Sequence, residues 1–365
     1  PPPPPPPPIF FYMQMREYEI RLSLVGSEMC IRDSNNPNKN IIKELSMSTL
    51  LVCASHSPLL HCYAKEPEDW DAMQRSYKDR AQEIKEFDPE LVFAFGSDHF
   101  NGFFLKLMPS FCIGIKATAT EDIGGFSGDL NVPSDIAIEV INYLRKNDVD
   151  PASSTNMTID HAFSQTIHEM CGSLEERSVI PIFINCMAEP FVPFRRTRLM
   201  GEAIGNYAKL SNKRVLLLAS GGMSHHPRRY YPEINDGPEE VSAWQNSGGE
   251  DESSLSSEEW ISRLEEMHHE GAEMIVKGER TAADMRLNEK SDKRFLKILS
   301  DFDLNKFDEW NQNELVREAG IGSMELQTWI AAASAHKAAG GKNPVLDFYS
   351  VAPEIGIAAG VVHGN

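Results

Sequence analysis

The sequence has no apolar stretch long enough to span a membrane, and its two most apolar ends, 9–13 and 355–362, are short. The first of these also lacks the basic flank of a secretory leader, so neither a membrane anchor nor a signal peptide is expected. No CxxC pair occurs. The six cysteines, Cys30, Cys53, Cys62, Cys112, Cys171 and Cys186, are scattered, most of them inside apolar runs. That pattern predicts buried reduced thiols and a cytoplasmic, reducing compartment. Positive charge is scarce: 35 basic against 54 acidic residues leave a formal charge of −19, which speaks against nucleic acid or an anionic membrane as partner. HExxH is absent, and with it the commonest zinc-protease pattern. No repeat of fixed period is present.

What is there is enough for a substantial core: 365 residues, 41% of them apolar. Residues 1–46 do not resemble the rest. Pro1–Pro8 is a homopolymer, Ser23–Ser34 resembles translated sequencing-adapter nucleotides, and Asn35–Asn40 is a polar linker. Met47 is the expected start of the folded chain, with 1–46 a disordered or artefactual extension and 47–365 one catalytic domain.

From Thr49 onward, apolar β-branched runs alternate with amphipathic stretches of helical length. Strands are expected at 49–55, 90–97, 111–117, 178–185 and 214–220. Helices are expected at 67–86, 134–147, 162–174, 195–210, 257–278, 292–303, 311–319 and 323–337. This order predicts an α/β fold: a single large domain with a central mixed sheet flanked by helices and a site at the carboxyl ends of the strands. The stretch 232–259, rich in Asp, Glu, Ser, Gly and Asn, reads as a surface excursion with a short helix and a loop.

Four histidines follow strand-like runs: His56, His99, His161 and His225. Imidazoles delivered to one sheet edge suit a metal site and its acid–base partners. By themselves they fit a zinc hydrolase, a non-haem iron enzyme or a copper site equally well. His61, His168, His268, His269, His336 and His363 share no such context and are read as structural.

The flanking residues narrow the choice. Ser55-His56-Ser57-Pro58-Leu59, Asp98-His99-Phe100-Asn101-Gly102-Phe103-Phe104, Asp160-His161-Ala162-Phe163 and Gly221-Gly222-Met223-Ser224-His225 occur in that order. Met108–Cys112, Pro181–Asn185, Arg196–Gly205 and Glu325-Leu326-Gln327-Thr328-Trp329 continue the pattern. Each piece is weak alone. The ordered set resembles the class III extradiol ring-cleavage dioxygenases over about 49–339, most closely those acting on 2,3-dihydroxyphenylpropionate.

That resemblance implies Fe(II) held by His56, His99 and Glu325, the 2-His-1-carboxylate face that leaves positions open for catechol and O2. It implies His161 and His225 as the acid–base pair, since ring opening needs one proton removed from a catechol hydroxyl and one supplied as the O–O bond breaks. Asp98 and Asp160 are expected to orient the adjacent histidines, Asp160 with the larger functional effect. The implied partners are a small catechol and O2, in a homo-oligomer. Other catechols such as protocatechuate, gallate or dihydroxyphenylalanine remain alternatives, as do non-enzymatic peptide-binding relatives of the fold. Arg196, Arg198, Arg228 and Arg229 are candidate partners for a substrate carboxylate. The sequence departs from the family at His226-Pro227-Arg228 and only loosely matches it over 348–354.

Overall fold

Four of the five expected strands are apolar at every interior position, with polar residues only at their ends, and such runs need cover on both faces. A computed structural model, which describes residues 49–227, 234 and 237–365, supplies that cover. The strands are β1 Thr49–Ala54, β2 Leu91–Gly96, β3 Phe111–Gly114, β4 Ala117–Ala119, β5 Gly128–Asp129, β6 Ala152–Ser154, β7 Met157–Ile159, β8 Val179–Ile184, β9 Val215–Ser220, β10 Val345–Ala352 and β11 Ile357–Gly364. The helices are α1 Leu59–Cys62, α2 Trp70–Phe87, α3 Ser134–Lys146, α4 His161–Cys171, α5 Phe194–Ser211, α6 Glu239–Ser247, α7 Ser257–Lys277, α8 Glu289–Asp301, α9 Gln312–Ala319 and α10 Leu326–Ala339. The expected extension 1–46 lies outside the described residues. None of the described helices is long and apolar enough to cross a membrane.

The described residues form one α/β domain. Its main sheet has the order β10-β11-β1-β9-β2-β8-β3-β6. The central strands β1, β9, β2 and β8 run parallel, while β11 and β3 are antiparallel to their neighbours β1 and β8. The sheet is therefore mixed, as the sequence predicts. Alternate residues serve opposite faces. Leu51, Phe93, Phe95, Ile182 and Leu217 pack into one apolar layer with residues of α3, α5, α8 and α10. Leu50, Val52, Val92, Phe183 and Leu218 pack into the other with residues of α2 and α4.

α10 is buried along almost its whole length, which its run of alanines permits. It lies against α5 at very short range. A Cβ added at Gly201 would sit 2.2 Å from the Ala331 carbonyl oxygen, and one at Gly205 would sit 2.0 Å from that of Ala335. The Arg196–Gly205 motif thus places α10, and with it Glu325 at the helix start. Helix propensity alone would make Gly205→Ala stabilising by about 1 kcal/mol. Overpacking here reverses the sign, and a loss of about 1–3 kcal/mol is expected in the denaturant midpoint. An unchanged or higher midpoint would contradict the close helix approach.

The structure also departs from expectation. His161 does not come from the main sheet: it follows β7, in a separate three-stranded sheet of order β5-β4-β7. β10 and β11 were not anticipated, because glycine and alanine interrupt one and solvent exposure the other. The acidic stretch is not a detached excursion where it is described. Val241 and Trp244 of α6 are buried, and the Trp244 indole donates to the Phe100 carbonyl at 2.9 Å. Trp260 stacks on Trp244 and donates to Asn101 Oδ1 at 3.2 Å. Two tryptophans thereby fasten this region to the loop that follows His99.

Candidate metal centre and active-site cavity

The crossover that inserts β9 between β1 and β2 brings three strand ends together, and ligands gather in such a crevice. His56 follows β1, His99 follows β2, and Gly221 to His225 follow β9. Glu325 approaches from below, on the last residue of a 3-10 turn, Ile321–Glu325, immediately ahead of α10. The sequence predicts it in the first turn of a helix over 323–337; that turn is 3-10 and the α-helix starts one residue after Glu325.

His56 Nε2 lies 3.5 Å and His99 Nε2 3.2 Å from Glu325 Oε1. The other ring nitrogens are turned away and held. His56 Nδ1 lies 2.8 Å from Ser220 Oγ, which in turn bonds Thr166 Oγ1 at 2.6 Å. His99 Nδ1 donates to Asp160 Oδ2 at 3.2 Å. With protons on both Nδ1 atoms, the two Nε2 lone pairs face a carboxylate oxygen. Such an arrangement is repulsive without a cation between the three. Adjacent ligands on a metal with bonds of about 2.1 Å stand about 3 Å apart, close to the observed spacings. The donor set therefore fits a metal ion. Glu325 Oε2 accepts the Gly222 backbone N–H at 2.6 Å, which fixes the carboxylate.

The charges agree with this arrangement. Burial would raise Glu325, but the imidazoles of His56 and His99 carry its carboxyl well below the usual range. Burial would depress His99, but Asp160 and Glu325 raise it well above the histidine range. A buried pair of carboxylates demands positive charge here, whether from a proton or a metal.

Asp160 is fully buried and does not line the cavity. Its Oδ2 accepts the His99 backbone N–H at 2.7 Å and the Asn101 amide at 3.0 Å, and its Oδ1 caps α4 through Ala162 N–H at 2.9 Å. Its bonds therefore hold both the backbone and the ring of His99. Asp98 accepts the backbone N–H groups of Asn101, Gly102 and Phe103, so it shapes the loop and leaves the histidine to Asp160.

His161 stands nearer the centre than its motif suggests. Its ring stacks on His99 with centroids 4.3 Å apart, and ligand atoms of His56, His99 and His161 all lie within 4.8 Å of one another. Its Nδ1 is paired with Asp122 Oδ2, and its backbone N–H donates to Asp122 Oδ1 at 3.0 Å. Asp122 escaped the sequence reading. It lies 39 positions from its histidine, with no periodic signal to find it.

His225 is held on two sides. Its Nδ1 donates to the Met223 carbonyl at 2.9 Å, leaving the lone pair on Nε2. Its ring occupies the space of absent side chains: a Cβ at Gly222 or at Gly322 would come within 2.5 or 2.1 Å of it. Asp292, also unanticipated, accepts Ser224 N–H at 2.9 Å and Ser224 Oγ–H at 2.6 Å, and Tyr349 at 3.0 Å. Burial pushes its carboxyl up to about 6. Burial likewise lowers both His225 and His161, which favours the neutral form of each ring.

A cavity of about 860 Å³ opens over this centre, and His56, His99, His161, His225 and Glu325 all line it. The C-terminal hairpin contributes Ile355, Gly356 and Ile357 to its wall. His268, read from sequence as structural, also lines it. Its Nδ1 donates to Leu264 O at 2.7 Å, and burial lowers it to about 3. Two expected carboxylate partners are not there. Arg198 makes a paired contact with Asp308 at 2.8 and 2.7 Å and a third with Glu202 at 2.6 Å. Arg196 donates to the Asp148 carbonyl at 3.3 Å. Arg228 and Arg229 lie outside the described residues.

Comparison with known proteins matches residues 50–360 to the family described as the catalytic LigB subunit of aromatic ring-opening dioxygenase. A 2,3-dihydroxyphenylpropionate/2,3-dihydroxicinnamic acid 1,2-dioxygenase of Paraburkholderia xenovorans is 36% identical over 322 residues, covering 87% of this chain and 98% of that protein. Its namesake from a Mycobacterium species is 37% identical over 305 residues, covering 84% and 95%. A third, from Dechloromonas aromatica, is 34% identical over 321 residues, covering 87% and 98%.

Proposed function

The chain belongs to the LigB family of aromatic ring-opening dioxygenases, and from that premise we propose that it performs extradiol cleavage of a 2,3-dihydroxyphenylpropionate-type catechol with O2, using Fe(II) held by His56, His99 and Glu325. The observation that carries this reading is the convergence of two imidazole Nε2 atoms on Glu325 Oε1 at the floor of the cavity. Iron bound there supplies open positions for the catechol oxygens and O2 and a route for electron density between them.

The chain's own groups do the rest. Asp160 and Ser220 fix the tilt of the two imidazoles through Nδ1. His225, neutral and with its lone pair on Nε2, takes a proton from a catechol hydroxyl. His161, its Nδ1 backed by Asp122, takes the proton of the other catechol hydroxyl on Nε2 and returns it as the ring opens. The apolar wall, including Phe100, Phe191 and Ile355, excludes water from the ring.

The relatives' names support a substrate with a three-carbon carboxylated side chain next to the diol. For the anaerobically iron-loaded enzyme, kcat/KM should therefore fall in the order 2,3-dihydroxyphenylpropionate, catechol, protocatechuate. A preference for protocatechuate would move the chain to a different extradiol specificity. Failure to open any catechol would refute the reaction.

A further inference from the structure

We infer that Arg286 is the residue that recognises the substrate's side-chain carboxylate, an inference that rests on the proposed reaction and adds its specificity determinant. An anion entering a chain of net charge −19 needs a local cation. With Arg196 and Arg198 engaged elsewhere, Arg286 is the only lysine or arginine among the described residues that line the cavity.

Its place in the wall suits the task. Val316, Ile321, Gly322 and Glu325 line the same cavity, and burial deepens from Val316 to Glu325. Arg286 Nη1 donates to the Val316 carbonyl at 3.2 Å, and the side chain is exposed. It therefore stands at the solvent end of a strip whose inner end is the candidate metal centre. A catechol seated at the inner end, with its ring substituent directed outward, brings a terminal carboxylate toward the guanidinium. One of five N–H donors is used by Val316, and those that remain match a carboxylate in a forked pair.

The backbone beneath it is built, not loose. Arg286 has φ +50°, a conformation that disfavours any residue carrying a side chain. Its N–H donates to Ala283 O at 3.0 Å, and the preceding Met285 is fully buried. Two residues later, Asn288 caps α8 through Ser291 N–H at 3.1 Å and donates to Glu318 O at 3.0 Å. An arginine kept where glycine fits better, and anchored on both sides, points to a use for its guanidinium.

The test uses Arg286→Gly, which suits the left-handed backbone and removes only the side chain, together with Arg286→Lys. Steady-state kinetics of the iron-loaded enzymes are compared for 2,3-dihydroxyphenylpropionate and for the neutral 3-propylcatechol. Arg286→Gly should raise KM for the carboxylated substrate about ten- to hundredfold with kcat little changed, and leave KM for 3-propylcatechol as it was. Arg286→Lys should recover part of the loss, since it keeps the charge without the fork. An unchanged KM for the acid, or equal changes for both substrates, overturns the assignment. If the wild-type enzyme opens both catechols with equal KM, the reaction stands and the role of Arg286 falls. If it opens neither, the proposed reaction falls first.

Discussion

Alanine at His56, His99 or Glu325 is expected to abolish both bound iron and ring opening. Each residue supplies one of three atoms that face a common point, and each is fixed from behind by a partner that aims it. Removing Glu325 takes away the only carboxylate among the described residues that faces both imidazole Nε2 atoms. Removing His99 also leaves Asp160, fully buried, without its imidazole partner, so this variant should lose thermal stability as well. Iron content after anaerobic purification, measured beside O2 uptake, checks all three variants together. Full iron occupancy in Glu325→Ala would remove Glu325 from the ligand set. The three-histidine grouping of His56, His99 and His161 would then be the better description of the centre.

His225→Ala and His161→Ala should behave differently, keeping iron while turnover falls about 10²–10⁴-fold. His225 Nδ1 is committed to Met223 O and His161 Nδ1 to Asp122, so the proton chemistry of each ring falls to its Nε2. The proximity of His161 to the other two rings makes its variant the sharper discriminator. Loss of iron in His161→Ala would make that residue a ligand. Undiminished turnover would deny it any role in proton transfer. Asp122→Asn provides a control on the same histidine. It preserves volume but replaces the carboxyl group that meets Nδ1 with an amide, and should lower turnover with iron retained.

Much of this architecture is legible along the chain because the central strands are covered on both faces. β1, β2, β8 and β9 are almost wholly apolar runs, and the four strands expected there agree with the observed ones to within a residue at either end, whereas the strand expected at 111–117 stops at Gly114 and Ala117 opens a strand of the second sheet. The histidines that follow β1, β2 and β9 could be located for the same reason. What could not be read depends on pairing at a distance. Asp122 meets His161, Asp292 meets Ser224, and Arg198 meets Asp308 across 39, 68 and 110 positions, with no local pattern to announce them. An arginine in a family-like motif reads as a carboxylate partner until its own carboxylate is seen. β11 was missed because a strand rich in glycine and alanine owes its place to pairing with β1 and β10 rather than to its own propensity.

The most direct test of the central claim is mass spectrometry of the product formed from 2,3-dihydroxyphenylpropionate by the anaerobically purified, Fe(II)-loaded enzyme under ¹⁸O₂. Extradiol cleavage predicts a yellow ring-opened product that carries both oxygen atoms, with the ring broken beside the diol. Product formation should disappear in His56→Ala. A muconate broken between the two hydroxyl-bearing carbons, a quinone without added oxygen, or unchanged turnover in His56→Ala would contradict the account.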